Sequence, residues 1–569
     1  MRHQYLVQAT FPCDGPTLDL RLPVWTPGSY LIREYQRHVQ DLIAVDEHGQ
    51  PLNVNKIDKA TWRVECAGQA RVLVHYRVYA HELTVRTGHI DGSHAYWNGA
   101  MLFLYDEARR SSPHVVRVTD IPAGWRTSTG LTLATGEPDA WHADDYDHLV
   151  DAPFEIGTHA LHEFTVGGKP HELAIWGAGD IDGAQLAGEL ARICAVQQEL
   201  FGGAPYERYL FILHLVPGGY GGLEHRNSST LIASPFAAHT PAKYGDLLEL
   251  ASHEFFHLWN VKRIRPTALG PFDYTREAHT RSLWVVEGWT SYYDRLMLRR
   301  SNLITPERYL EKLGEELSKL ASIPGRRHQS VEEASFDAWI KLYRPDENTS
   351  NTTVSYYLKG SLVALLLDLE IRRRTRTLGA RTLDDVMRAL WHGHGAPDRG
   401  YRDDEIQPLT ERVAGVSLED FFARSVRGRD ELDVAGPLAS VGLELRAAAP
   451  EEPRGAWLGA SVNGECRVTE ITEDGPAQAA GLSPGDVLAA LDGWRLTDDD
   501  RLKALLARRG AGEVSRLTLF RRDRLETIDV TLAAPPVSKW TVVPTEHAPQ
   551  LAQDAYAAWL GAAWPPAIK

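Results

Sequence analysis

From the start of the chain to about residue 160, apolar and polar positions alternate in short runs, as in TWRVECAGQARVLVHYRVYA (Thr61–Ala80), separated by Gly, Pro, Asp and Asn turns. Period-two alternation of this kind predicts half-buried strands and an all-β region. Between about Gly167 and Pro217 the order becomes strand, long helix, strand, written ELAIWG, DGAQLAGELARICAVQQELFG and RYLFILHLV. Beyond Lys243 the apolar spacing turns helical until about Arg427, with Pro266, Pro306 and Pro345 as breaks. RAAAPEEPRG, ending at Gly455, reads as a linker, and a compact β-rich unit follows it to about Ala533. Its strands are CRVTEI, DVLAAL, RLTLFRR and ETIDVTL, its helix DDDRLKALLARRG, and its turns DGPAQAAG and LSPGD.

These segments predict a multidomain α+β protein with a β domain over 1–165 and a catalytic region over 166–450 whose second lobe is mainly helical. A small β-rich domain over 455–535 and an extension over 536–569 complete it. A length of 569 residues agrees with three to four domains at about 150 residues each. The net charge of −15 would repel phosphate backbones, which argues against a nucleic-acid partner. Cys13, Cys66, Cys194 and Cys466 lie far apart with no CxxC pair, so reduced thiols are expected rather than a disulfide framework or a cysteine-bound zinc. The start MRHQYLVQATFPCDG lacks the charged and apolar regions of a secretory leader, and the apolar run Leu362–Leu367 stops at Asp368, so no membrane span is expected. The chain therefore reads as cytoplasmic, or periplasmic if a leader has been trimmed, and the sequons at Asn227, Asn348 and Asn351 carry little weight without secretion.

The sharpest chemical signal is His253-Glu254-Phe255-Phe256-His257. Leu247, Leu248, Ala251, Phe255 and Leu258 recur at helical spacing, so the two histidines share one helix face and can bind one Zn²⁺ per chain. Glu254 can then lean over the water on the metal as general base. The bland alternative is a core helix with two hydrogen-bonded histidines. A catalytic zinc needs a third ligand, and Glu287 offers one 30 residues after His257, flanked by Leu283, Trp284, Val285, Val286 and Trp289. A bare carboxylate in such surroundings would be costly unless a cation compensated it. Otherwise it is a surface glutamate on a half-exposed helix. In VPGGYGGLEHRNSST, four glycines (Gly218, Gly219, Gly221, Gly222) precede Glu224, so backbone can approach a ligand closely and the carboxylate can bind a substrate's α-ammonium group. A plain hairpin loop would look the same. SYYLKGSLVALLLDLEIRRR predicts a helix beginning near Ser355, where Tyr356 or Tyr357 could donate to an oxyanion or simply pack in the core.

HEFFHLWN, WVVEGWTSYY, GGYGGLEHRNSS and LPVWTPGSYLIREYQRHV (Leu22–Val39) together resemble the glycyl aminopeptidase family of gluzincin zinc metallopeptidases with a PDZ domain. The resemblance implies a thermolysin-like catalytic domain between the β domain and a C-terminal PDZ-like domain. It implies zinc on His253, His257 and Glu287, with Glu254 as the base. Glu224 matches the glutamate of the Gly-x-Met-Glu-Asn exopeptidase motif, although Leu223 and His225 replace Met and Asn. Tyr357 stands where relatives have Tyr-Glu-Lys-Gly, here Tyr-Leu-Lys-Gly, and is preferred to Tyr356 on that ground. Trp457-Leu458-Gly459 resembles the PDZ loop that holds a peptide C-terminus. The expected activity is removal of N-terminal residues, Gly or Ala by the family name alone, from peptides with a free N-terminus, with Gly221, Gly222 and Glu224 binding substrate. The rivals are an endopeptidase with an open cleft and a PDZ-containing binding protein with a silent zinc site.

Overall fold

A computed structural model of the chain describes residues 2–66, 68–377, 379–448, 455–537 and 539–566. The chain forms two compact units, one made of residues 1–280, 293–304 and 384–409 and the other of 281–292, 305–383 and 410–569.

The first unit opens with antiparallel sheets. Strand β1 (Gln4–Pro12) pairs along its length with β2 (Arg71–Tyr79), where Val72, Val74, Tyr76 and Val78 are buried while the residues between them are not. Leu18, Leu20, Trp62 and Val64 of a neighbouring sheet share that core, as the alternation predicts. One expectation fails here. Cys13 and Cys66 form a disulfide with Cα atoms 6.7 Å apart, 53 residues apart in sequence. Each sits just past a strand end, with the Cys13 amide donating to Ala70 and the Cys66 amide to Pro16, so the two meet through sheet pairing that no local spacing reveals. Cys194 and Cys466 are free and buried.

A five-stranded sheet follows. Strands β3 (Lys169–Trp176), β4 (Tyr209–Leu215) and β6 (Ser228–Ala233) run parallel, and β5 (Gly221–Glu224) pairs antiparallel with β6 at one edge. All seven residues of β4 are buried, which is why it reads as an unbroken apolar run. Helix α1 (Gly183–Phe201) crosses between β3 and β4, capped by the Asp182 side chain and ended by left-handed Gly202. Helix α2 (Pro241–Phe256) starts at the Thr240 cap with proline in its first turn, and packs on β5 and β6.

In the second unit the segment predicted as one continuous helix around Glu287 begins as a π-helical turn, Trp284–Trp289. Helix α3 (Leu358–Thr375) packs against this turn. The contact is backbone to backbone, since a Cβ on Gly288 would lie 2.6 Å from the Gly360 Cα. The C-terminal β-rich module has a four-stranded antiparallel sheet and a helix, Asp499–Leu506, around Leu458, Val468, Leu488, Leu517 and Leu519. Asn351 anchors it, donating to the Ile471 carbonyl at 2.7 Å and accepting from the Glu473 amide at 2.9 Å. After the module, Trp540–Pro544 pairs with Leu443–Ala447, and Trp559 donates to the Tyr292 hydroxyl at 3.1 Å. Most of the expected linker, residues 449–454, lies outside the described residues. Among the described residues, no helix is long and apolar enough to cross a membrane.

Candidate active site

Both histidines of the helical motif lie at the C-terminal end of α2, where the helix dipole favours a cation. Past His257 the chain folds into tight turns, and these bring the Asn260 carbonyl back to the His257 ring, 2.6 Å from Nδ1. A carbonyl can only accept, so His257 carries its proton on Nδ1. His253 Nδ1 lies 3.0 Å from Asp294 Oδ2, which fixes the same tautomer against a carboxylate. The two Nε2 atoms face each other at 3.0 Å. In the neutral rings both carry lone pairs, so they converge on a point suited to a cation. Burial, with Glu249 adding to it, pushes Asp294 up to about 6 against the opposing pull of His253.

Glu254 is 5% exposed and Glu224 3% exposed, and with His257 they offer ligand atoms all within 4.8 Å of one another. Glycines make the room. A Cβ on Gly222 would lie 2.1 Å from Glu254 Oε1, and one on Gly28, held at φ +84°, would lie 2.5 Å from Glu224 Oε1. The Glu224 Oε1 atom is buried with no hydrogen-bond partner among the described residues. Gly221 has open space where its side chain would be.

The strand end that carries Glu224 is tied down by Asp151. Its carboxylate accepts from Lys262 Nζ at 2.7 Å and from the Arg226 amide at 2.8 Å, and faces His225 Nδ1 at 3.2 Å. Burial alone would raise Asp151, but Lys262 and His225 together hold it well below the usual carboxylate range. His225 thus serves the scaffold.

Within the second unit, Glu287 is 2% exposed in the π-helical turn. Tyr357 is the residue capping α3, partly exposed, with its hydroxyl 3.1 Å from that of Tyr343. Tyr356 stacks on it at 4.8 Å between ring centroids and is wholly buried. Of the two, only Tyr357 is partly exposed. Sequence reasoning missed Asp294, Asn260, Asp151 and Gly28. Asp294 carried a faint signal as an acid within the apolar aromatic helix that follows Glu287, whereas the Asn260 carbonyl acts through backbone and carries none.

Residues 1–158 match the peptidase M61 N-terminal domain, 246–363 the M61 glycyl aminopeptidase family, and 442–532 a PDZ domain. A crystal structure of an aminopeptidase N family protein from Idiomarina loihiensis is 34% identical, with a TM-score of 0.91 over 98% of each chain. Among curated proteins, "Probable periplasmic serine endoprotease DegP-like" from Brucella suis is 37% identical over 145 residues, and the protein so named from Pseudomonas putida is 33% identical over 69. The aligned part is 26% of this chain and 20% of the Brucella protein's length.

Proposed function

The chain belongs to the M61 glycyl aminopeptidase family of zinc metallopeptidases, and from that premise we propose that it removes single N-terminal residues, Gly or Ala in keeping with the family, from peptides with a free amine. The observation that carries this reading is the buried, unpartnered Glu224 Oε1 beside Glu254 and His257. An acceptor left in that state costs free energy until a donor arrives, and an α-ammonium group is a charged donor of the right kind.

His253 and His257 fit a zinc ion, because both Nε2 lone pairs converge while both Nδ1 protons are engaged. Glu287 would be the third ligand of a thermolysin-like set, as the family resemblance implies. Zinc held there would supply Lewis acidity toward the scissile carbonyl and make the attacking water easier to deprotonate. Glu254 would act as general base, taking a proton from that water at its carboxylate and returning it to the leaving amine. Tyr357 donates its phenolic hydrogen to the developing oxyanion. Gly221 and Gly222 allow the substrate backbone to lie against β5. The loop Trp457-Leu458-Gly459 receives a peptide C-terminus at the PDZ-like domain. The Cys13–Cys66 disulfide favours an oxidising compartment over the cytoplasm.

The test is a matched panel of free and N-acetylated peptides. Free peptides should lose one residue at a time, acetylated ones should be inert, and Glu224→Ala should lower kcat/KM for the free series by more than about tenfold. Internal cleavage of acetylated peptides, unchanged in Glu224→Ala, would establish an endopeptidase instead.

A further inference from the structure

A second set of histidines and a carboxylate lies in the first unit, apart from the residues assigned to chemistry. His94, on a strand spanning His94–Trp97, and Glu155, on the neighbouring strand Phe154–Gly157, share a sheet face, because Gly157 is the residue opposite His94. His214 reaches the same point from β4. His94 Nδ1 lies 3.0 Å from Glu155 Oε1, His214 Nε2 lies 2.8 Å from Glu155 Oε2, and the three offer ligand atoms within 4.8 Å of one another. His159, on the loop after the Glu155 strand, points its Nδ1 at Glu155 Oε1 from 3.9 Å. All four side chains have zero exposure.

His159 Nδ1 and His214 Nδ1 are buried without a hydrogen-bond partner among the described residues. Burial alone would raise Glu155, but the contacts from His214 and His94 hold it below the usual carboxylate range, so the cluster encloses a carboxylate charge that a cation in place of those protons would also neutralise. The surroundings suit metal ligands well. Ser128 Oγ lies 2.8 Å from His159 Nε2 and can accept its proton, which leaves a lone pair on Nδ1. His89 Nδ1 lies 3.0 Å from His94 Nε2 and orients that ring in the same way, while the indole of Trp176 stacks on it at 3.6 Å. His89 also belongs to a more exposed group with His3 and His81, whose ligand atoms again lie within 4.8 Å. His89 thus joins that group to the buried cluster through its contact with His94.

We propose that His94, His214 and Glu155, with His159 as the nearest further donor, form a second metal site for a divalent cation of the zinc type. Two imidazole nitrogens and one carboxylate oxygen converge, and a shift of the His159 ring toward them would make the four-coordinate set of a structural site. The bound cation neutralises Glu155 and clamps the β-rich N-terminal part of the unit to the middle of the five-stranded sheet. It would make the metal count two per chain.

The experiment is metal analysis of the full-length protein and of a His253→Ala/His257→Ala double variant, each reconstituted with Zn²⁺ or Co²⁺ and freed of excess. Two equivalents are expected in the parent protein and one in the double variant, with the visible bands of tetrahedral Co²⁺ retained. Adding Glu155→Gln or His214→Ala to the double variant should abolish the remaining equivalent. The count in the double variant needs no change to the buried cluster, so it decides the matter even if those further substitutions fail to fold. A folded double variant that holds no metal overturns the proposal. An equivalent present in the parent at one per chain and undiminished in the double variant supports the buried site and counts against the catalytic pair instead.

Discussion

The two histidine–carboxylate clusters of the first unit set the same side-chain types in opposite surroundings. Around His253 and His257 the site stays open, with the His253 side chain 14% exposed, glycines clearing space beside both glutamates, and one carboxylate oxygen unmatched. Around Glu155 every side chain is sealed at zero exposure and the neighbouring groups hold the rings in place. Chemistry needs room for water and substrate, and a structural clamp needs their exclusion. Ligand identity therefore does not separate a catalytic centre from a structural one, whereas access does.

The largest expected effect sets one glutamate against the other. Glu254→Gln keeps both histidines and removes only the base, so kcat should fall by about 10²-fold or more while bound metal and Tm stay as in the parent protein. Glu155→Gln should do the reverse. The turnover of folded, loaded molecules should be kept, while stability drops by about 3–5 kcal/mol, the usual cost of breaking a buried charge network. Activity, metal content and thermal unfolding on the same two preparations settle it, and a loss of kcat in Glu155→Gln without loss of stability would erase the distinction.

If Tyr357 is the oxyanion donor as proposed, Tyr357→Phe should lower kcat by about 10²-fold with KM nearly unchanged, because an oxyanion donor acts only in the transition state. Tyr356→Phe should cost little turnover, because that ring is wholly enclosed. A larger loss at position 356 would move the oxyanion donor to the neighbouring ring.

The difference between the clusters also explains what could be read from the chain. His253 and His257 are four residues apart on one helix, so the pattern alone placed them on one face, and α2 and the glycine-rich approach to Glu224 lie where it indicated. His94, Glu155 and His214 are separated by about sixty residues at each step and meet only through sheet pairing, so no window along the sequence contains them. The disulfide escaped for the same reason. The π-helical turn at Trp284–Trp289 was read as plain helix, because a single extra residue per turn leaves apolar periodicity almost unchanged. The extension after the PDZ-like domain gave no warning that Trp540–Pro544 would pair with Leu443–Ala447 or that Trp559 would be buried. A truncation at Gly455 would strip these contacts too, so a test of the PDZ-like domain should remove 455–535 alone.

Gly28→Ala is expected to have a smaller and more selective effect. Its Cβ would press on the Glu224 carboxylate and its backbone would sit at φ +84°, so Glu224 must shift. The expected result is a fall of about tenfold in kcat/KM for free-amine peptides, equal to about 1.4 kcal/mol, with metal content unchanged. Equal kcat/KM in Gly28→Ala and the parent protein would mean that the position of Glu224 does not matter to the substrate.

The smallest effect on turnover is expected for the disulfide of the N-terminal core. Replacing Cys13 and Cys66 with Ser removes a cross-link between residues 53 apart, which by chain entropy stabilises the folded state by about 2–4 kcal/mol. The loss falls on the N-terminal sheets, because both cysteines lie at strand ends of that core. Tm should drop in the Cys13→Ser/Cys66→Ser protein, and reductant should lower the Tm of the parent protein toward the same value. The kcat of the folded variant should match that of the parent protein at moderate temperature. A matching fall in kcat would mean that the N-terminal core also sets the position of Gly28 and, through it, of Glu224, and the separation between scaffold and open cleft would then be weaker than the two histidine clusters suggest.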